Sequence, residues 1–333
     1  MKMKNLQSFL FISAMSGLLF AACSKSSSSS NSGDTSQTDL QTQADDQSRV
    51  SNETDAAFDD VAAAMTGEAS VTGSSVNPGL RYGVETDGGN QDTVNVSRIA
   101  NATVTIDTVD NPHTITITYN GKTADSLRSR TGSIVISWQA GTHFTTAGDT
   151  VTVQFENLAI TRLRDNKTIT FNGTHYYTNV SGGSLLSLAL GGVSQITHQI
   201  TSDNMSITFD DGSQRTWSFA RQRVFTYSGG LVIAESGFHT SGTLTNISEW
   251  GTNRYGNSFT AQITTPIVVA ASCSWQANSG VYVLTNSAGV LTLTFGLNSA
   301  GQATGCPVSP SVYYFQLVWA GSGGKTYTFI LPY

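Results

Sequence analysis

Short segments in which threonine or serine alternates with valine, isoleucine or phenylalanine recur from about residue 100 to the end of the chain. Alternation with a period of two gives a strand one polar and one apolar face, as in an antiparallel sheet that is solvated on one side. The sequence therefore predicts an all-β fold, an extended antiparallel β-sandwich-like domain over residues 71–333. The predicted strands are 103–108, 114–119, 133–138, 150–155, 168–171, 206–209, 243–246, 259–263, 281–284, 290–295, 313–319 and 326–331.

Turn-forming dipeptides separate these segments and predict tight connections between neighbouring strands. About 260 residues can bury a substantial core, so one extended domain is predicted, with two fused halves as the alternative. The predicted turns lie at Asn120-Gly121, Asn172-Gly173, Asp211-Gly212, Gly256-Asn257 and 321–324.

The amino terminus has the pattern of a bacterial lipoprotein signal. Lys2 and Lys4 precede an apolar run from Phe9 to Ala22 that is too short to span a bilayer as a helix, and the run ends in Phe20-Ala21-Ala22-Cys23. Residues 1–22 are therefore predicted to be a signal peptide and Cys23 to be lipidated, which anchors the chain to a membrane. An ordinary secretory signal is the alternative.

The lipoprotein pattern also predicts where the protein is located. Ser24 follows the cysteine, whereas Asp at this position would indicate retention in the inner membrane of enteric bacteria. The sequence therefore predicts a cell-envelope protein anchored in the outer membrane, in a leaflet that faces either the periplasm or the cell surface.

Residues 23–50 are rich in serine and aspartate and poor in large apolar side chains, so they are predicted to form a disordered tether. A short amphipathic helix is predicted for 51–67, with Phe58, Val61 and Met65 on one face and Gly67 as its end. Its apolar face is expected to pack on the β domain rather than on a partner.

The charge of the chain is concentrated near its amino terminus. Residues 23–91 contain three basic and eleven acidic residues, whereas residues 92–333 contain twelve of each. A neutral β domain on an acidic stalk lacks the basic surface that meets phosphates, so nucleic acid is excluded as a partner.

With Cys23 lipidated, Cys273 and Cys306 form an even pair in an oxidising compartment, and a disulfide between them is predicted. Two buried free thiols are the alternative. Neither cysteine has a histidine or another cysteine at metal-ligand spacing, so no metal site is expected.

Several ordered phrases resemble a group of uncharacterised outer-membrane-type lipoproteins of Bacteroidota. The resemblance is carried by "RTGSIVISW", "GDTVTVQFENLAI", "ITFNGTHYYTN", "SITFDDGSQRTWSFARQR" and "SGTLTNISEWGTNRYGNSFTAQITTPIVV", and extends over most of residues 51–333. It implies an envelope location and a β architecture but no activity and no catalytic residues. Where the resemblance leads us to expect an acidic residue after the last cysteine, this chain has Pro307, which argues against a cation site there.

The sequence contains no motif for nucleophilic, metal-dependent or nucleotide chemistry. Its five histidines are at least 23 residues apart, and packed or surface roles are predicted for them. We therefore expect no catalytic residue, no cofactor and no metal, and favour a function other than catalysis. The alternative, a carbohydrate-active hydrolase, would need two acids brought together by the fold from Glu156, Asp165, Asp210, Asp211, Glu235 and Glu249.

One stretch, 215–223, combines cations and aromatic rings. As a strand it places Arg215, Trp217, Phe219, Arg221 and Arg223 on one face. This candidate binding face could stack on a sugar or hold an anion. The alternative is structural: the arginine stems cover the sheet, and the guanidinium groups pair with acids or lie on Trp217.

The function predicted from the sequence is thus a lipid-anchored structural or ligand-binding β module, with a glycan as a candidate ligand. The alternatives are the hydrolase and an accessory partner of an outer-membrane assembly or transport complex.

Overall fold

A computed structural model describes residues 99–123, 126–273, 276–306 and 313–332, two short strands before them, and part of a helix within 42–65. The described helical residues are 42, 45–47, 49–50, 53–54, 56–58, 60–61 and 64–65, which we call α1. The predicted signal peptide, Cys23 and Gly67 lie outside the described residues. No helix in the described part of the chain is long and apolar enough to cross a membrane.

The described chain is predominantly antiparallel β structure, which confirms the predicted all-β class. It divides into two compact units. The amino-terminal unit comprises Ala56–Ala220 and Gly251–Gly256. The carboxyl-terminal unit comprises Arg221–Trp250, Asn257–Tyr333 and the chain up to Asp55.

The amino-terminal unit is a meander in which each strand pairs with the next along the chain. Residues 214–220 of β9 complete it. Its elements are β1 (Val84–Glu85), β2 (Asp92–Val94), β3 (Ala102–Asp107), β4 (His113–Lys122), β5 (Arg128–Trp138), β6 (Thr150–Arg162), β7 (Lys167–Asn179), the helix α2 (Leu185–Ala189), β8 (Gln195–Phe209) and β9 (Gln214–Tyr227).

The carboxyl-terminal unit begins with the second half of β9, which pairs with β10, and β10 pairs in turn with β13. From β13 onward each strand pairs with the next. Its elements are β10 (Leu231–Gly237), β11 (His239–Ser241), β12 (Leu244–Thr252), β13 (Ser258–Ala270), a 3-10 turn (Ala271–Cys273), β14 (Ala277–Asn286), β15 (Gly289–Leu297), β16 (Tyr314–Gly321) and β17 (Thr326–Pro332).

Alternation along the strands forms the core, as predicted. All twelve predicted segments overlap strands, and in most of them the apolar residues lie on a buried face, for example Ile115 and Ile117 on β4 beside Ile134 and Ile136 on β5. The intervening threonines of β4 are more exposed than these isoleucines. One face of most of these strands therefore contributes to the apolar interior.

Two predicted turns are wrong. Asn120-Gly121 and Asn172-Gly173 lie inside β4 and β7, so these strands continue through the dipeptides. At Gly173 the backbone has φ of 131°, the register with β8 shifts, and an added Cβ would lie 2.8 Å from the sulfur of Met205. The glycine therefore permits a β-bulge rather than a turn. The turns at 211–212, 256–257 and 321–324 are connections between strands, as predicted.

Helix α1 begins earlier than predicted. Described residues from Thr42 onward are helical, and Val50 and Asp46 are buried, so this part of the predicted tether belongs to the folded protein. The sequence predicted that the helix begins at Ser51, because residues 42–49 are mostly polar and their composition is typical of a disordered segment. Phe58 is buried, which confirms that the apolar face of the helix packs on this chain.

Cys273 and Cys306 form a disulfide, as predicted. It joins the end of the 3-10 turn after β13 to the connection between β15 and β16, positions 33 residues apart in sequence. Cys273 is buried against Ala270 and Tyr313, so the bond ties this connection to the core of the carboxyl-terminal unit.

We expect removal of the disulfide to destabilise the carboxyl-terminal unit. Closing a loop of this length restricts the unfolded chain, and the corresponding loss is about 3 to 4 kcal/mol. The variant Cys273→Ala/Cys306→Ala should therefore unfold at a lower urea concentration than the parent protein. Dithiothreitol should shift the parent in the same direction and leave the variant unchanged; an unchanged parent would contradict the prediction.

Candidate functional site

The predicted binding face on β9 exists as a strand face but is not a surface. Arg215, Trp217, Phe219 and Arg221 are all buried, and Arg223 is largely so. Ser218 and Ala220, on the opposite face, are buried as well, so both sides of this part of β9 are covered. The prediction of an exposed cation and aromatic stripe is therefore wrong, because a period of two reveals which residues share a face but not what packs on it.

The structural alternative describes these arginines correctly. In the amino-terminal unit the guanidinium carbon of Arg215 lies 5.8 Å from the ring centre of Trp217. In the carboxyl-terminal unit Arg221 pairs with Glu235 and Glu249, and Arg223 pairs with Glu235. These arginines therefore interact with acids or with an aromatic ring inside the protein, and do not form a binding surface.

The carboxyl-terminal unit thus contains a buried cluster of two arginines and two glutamates. Arg223 lies directly opposite Glu235 in the β9–β10 ladder, and its Nε donates to Oε2 of Glu235 at 2.7 Å. Nη1 of Arg221 lies 3.2 Å from Oε1 of Glu235, and Nη2 of Arg221 donates to Oε1 of Glu249. Glu249, from β12, is completely buried.

Helix α1 completes this cluster. The amide nitrogen of Gln47 donates to Oε2 of Glu249 at 3.0 Å and to the hydroxyl oxygen of Tyr282 at 2.9 Å. The carboxylate of Glu249 is therefore held by a charged donor and a neutral donor. Such pairing is what allows an ionised carboxylate to be kept away from water.

Electrostatics in the cluster favour the ionised form of Glu235. Burial raises the pKa of Glu235, but the charges of Arg223 and Arg221 and the hydrogen bond from Arg223 outweigh burial and leave the pKa below its ordinary value. A general acid would need the opposite shift.

The cluster bears directly on the hydrolase alternative. Glu235 and Glu249 both contact the terminal nitrogens of one guanidinium group, so their oxygens lie within about 8 Å of each other, inside the range of glycosidase pairs. However, Arg221 occupies the space between them, where a glycosidic bond would have to lie. The arrangement is that of a structural ion-pair network.

A second polar contact holds α1 in the amino-terminal unit. The carboxylate of Asp60 accepts hydrogen bonds from Tyr119 at 2.7 Å and from Arg130 at 2.6 Å. Burial raises the pKa of Asp60, against the opposing effects of Arg130 and Tyr119. Burial and the neighbouring Asp60 raise the pKa of Tyr119 well above its ordinary value.

An aromatic cluster also holds α1 in the amino-terminal unit. The ring of Phe58 is 4.9 Å from that of Tyr177 and 5.3 Å from that of His175. His175 is fully buried and also contacts Phe155 and Phe219, at 4.6 and 4.5 Å. This histidine is therefore packed, as predicted.

Three other histidines also lie against aromatic rings. His113 meets Trp138, His198 meets Phe144, and His239 stacks on Trp250 at 4.3 Å. Among the residues that the structure describes, no group of three His, Cys, Asp or Glu side chains could hold a metal ion.

An exposed aromatic surface lies elsewhere, on the last strand. Tyr327 and Phe329 share one face of β17 and are 45% and 43% exposed. Trp319 on β16, which is itself buried, lies directly opposite Tyr327 in the ladder, and half-buried Leu317 lies opposite Phe329. We call the exposed rings of Tyr327 and Phe329, together with these two cross-strand neighbours, the β17 aromatic surface.

The β17 aromatic surface is the outer margin of an apolar sheet face. The same face continues across β16, β15 and β14, whose cross-strand neighbours lie next to one another in the ladders. On this face Phe295 packs against Phe315 in the core. The sequence showed the alternation of β17, but it predicted no binding role for this strand, because pattern alone does not distinguish a covered face from an open one.

Comparison of the chain with protein-family models, curated proteins and solved structures finds no match. The resemblance to Bacteroidota lipoproteins thus stays a prediction from the sequence, and function has to be argued from the geometry of the chain.

We expect the buried cluster to be essential for stability. In Glu249→Ala, Arg221 loses its most buried partner, so the free energy of unfolding should fall by about 3 to 5 kcal/mol, as measured by urea titration. The double variant Arg221→Met/Glu249→Leu should recover much of this loss, because no unpaired charge remains.

The matched control is Asp165→Ala, which removes the exposed ion pair between Arg162 and Asp165. This change should cost no more than about 1 kcal/mol. Equal effects of Glu249→Ala and Asp165→Ala would show that the buried cluster has no special role.

Proposed function

We propose that this protein is a lipid-anchored component of the cell envelope that binds an extended ligand, foremost a glycan, on the β17 aromatic surface. The signal-peptide pattern and Cys23 support the anchor. The resemblance to outer-membrane-type lipoproteins supports the outer membrane as its location.

The observation that carries the binding proposal is the exposure of Tyr327 and Phe329 on the same face of one strand. Side chains two residues apart on a strand are separated by about 6.6 Å, so the two rings form a short row. Aromatic rings offer apolar surface at low conformational cost, and pyranose rings present C–H groups that stack on such surface. A row of rings suits a chain of sugars better than a single small molecule.

The surface also explains why the binding role does not belong to β9. The rings and cations of 215–221 on β9 are buried, whereas Tyr327 and Phe329 of β17 remain accessible while their strand is held in the ladder with β16. Binding there requires no rearrangement of the core.

The β17 aromatic surface carries no charged side chain, so the proposal favours neutral stretches of polysaccharide over an anionic ligand. The hydrolase alternative receives no support from Glu235 and Glu249, whose space is filled by Arg221.

The anchor is tested at its cysteine. We expect Cys23→Ser, expressed in the native envelope, to lose incorporation of an alkyne-labelled fatty acid and to leave the membrane fraction. The unsubstituted protein should incorporate the label and remain in the membrane after a high-salt wash. Labelling that persists in Cys23→Ser would contradict the proposal.

The ligand is tested by affinity electrophoresis of the detergent-solubilised full chain through gels that contain envelope or dietary polysaccharides. We expect retardation of the unsubstituted protein, and loss of two stacking contacts in Tyr327→Ala/Phe329→Ala should weaken binding by about tenfold or more.

Tyr255→Ala serves as the control, because Tyr255 is an equally exposed aromatic residue in the amino-terminal unit. It should migrate as the unsubstituted protein does. Retardation that survives the double substitution would place the site elsewhere, and the absence of retardation on every gel would refute glycan binding.

A further inference from the structure

The connection between β7 and β8, residues 180–194, presents aliphatic side chains to solvent. We call it the leucine loop. Leu190 is 75% exposed, and Leu185, Leu186 and Val180 are exposed as well. Leu188 of α2 is buried and holds the short helix against the amino-terminal unit. Clustered exposed aliphatic residues mark a surface that meets another apolar phase or molecule.

The backbone of the leucine loop is well hydrogen-bonded. Ser184 and Ser187 cap α2 reciprocally, each side chain accepting from the backbone N–H of the other. The N–H groups of Leu190 and Gly192 donate to the carbonyl oxygens of Leu186 and Ser187. A segment that satisfies its own polar groups can enter an apolar medium without leaving donors unpaired.

Further bonds fix the loop to its surroundings. The side-chain amide of Asn179 donates to the carbonyl oxygens of Phe144 and Gly183, at 2.8 and 3.0 Å. The N–H of Gly183 donates to the carbonyl oxygen of Thr145 at 2.7 Å. The exposed leucines therefore lie on a loop whose backbone is fixed by hydrogen bonds to β7 and to the connection between β5 and β6.

The absence of charged residues in the sequence around the leucine loop indicates what kind of partner the loop contacts. From Thr168 to Ser202 the sequence contains no Asp, Glu, Lys or Arg. Protein interfaces are enriched in Trp, Tyr and Arg at their centres, and the leucine loop has none of these. Aliphatic side chains on an uncharged loop suit the acyl boundary of a lipid layer, which demands no matching shape.

The neighbouring connection between β5 and β6, which bonds to the loop, contains Asp149. This carboxylate would be repelled by anionic headgroups, so a zwitterionic surface is favoured.

We propose that the leucine loop is a lipid-contacting surface that places Leu185, Leu186 and Leu190 at the headgroup and acyl boundary of a zwitterionic membrane. The inference rests on the proposed function in one respect: the anchor at Cys23 keeps a membrane within reach. The loop then orients the amino-terminal unit on that membrane.

The test uses the mature full chain reconstituted in vesicles of phosphatidylcholine and phosphatidylethanolamine that contain nitroxide-labelled lipid. An environment-sensitive dye is attached to Leu190→Cys, and the matched control is Leu127→Cys. Leu127 is 63% exposed but lies in the connection between β4 and β5, at the opposite end of the meander. Cys273 and Cys306 are in a disulfide and do not take up the dye.

We expect the dye at position 190 to be quenched several-fold more strongly than the dye at position 127, with little change in 1 M salt. Equal quenching at the two positions overturns the proposal. So does a dye at 190 that is exposed in vesicles but protected in native membranes, since that result identifies a protein partner.

The unsubstituted protein separates this proposal from the anchor. Uptake of dye by that protein would show that Cys23 is free and that the anchor proposal fails. The comparison of positions 190 and 127 is then made in Cys23→Ser protein added to the same vesicles, where unequal quenching supports the leucine loop and equal quenching refutes it.

Discussion

The amphipathic strands of this protein are stable only if other parts of the chain pack on their apolar faces. Antiparallel strands that alternate threonine with aliphatic residues leave half of their side chains in need of burial. Part of that cover comes from α1: Phe58 packs on rings of β7 and β9 in the amino-terminal unit. Each unit also holds its part of α1 by polar bonds, through Asp60 in one and Gln47 in the other. The helix that follows the proposed tether is thus an integral part of the fold.

Packing on the sheets also buries charged groups together with the apolar ones, and buried charges need partners of opposite sign. Arg221 and Arg223 would be costly inside the carboxyl-terminal unit without partners, and Glu235 and Glu249 neutralise them. The same network accounts for the charge-rich stretch on β9 and leaves both acids enclosed. Two exposed apolar surfaces in the described part of the chain, the β17 aromatic surface and the leucine loop, carry no charged side chain. Proposed binding to sugar and lipid follows from that distribution.

Much of the β architecture was predictable, because a period of two is a local property that survives in sequence. The disulfide was predictable from the number of cysteines and the expected compartment. The two Asn-Gly dipeptides were misassigned because glycine serves bulges and turns equally well, and the choice depends on the partner strand. The candidate face on β9 was correct as a set of residues but wrong as a surface. Burial depends on what packs above a strand, and no local pattern records it.

By itself, the sequence determined the strand class, the pairing of Cys273 with Cys306 and the grouping of Arg215, Trp217, Phe219, Arg221 and Arg223 on one face. Only the tertiary structure decided that this face is interior, that α1 reaches back to Thr42, and that Tyr327, Phe329 and the leucine loop are exposed. The physical reason is the separation in sequence over which each feature is determined. Alternation and cysteine number act within a strand or over the composition of the chain, whereas exposure is the result of contacts between residues as far apart as Gln47 and Tyr282.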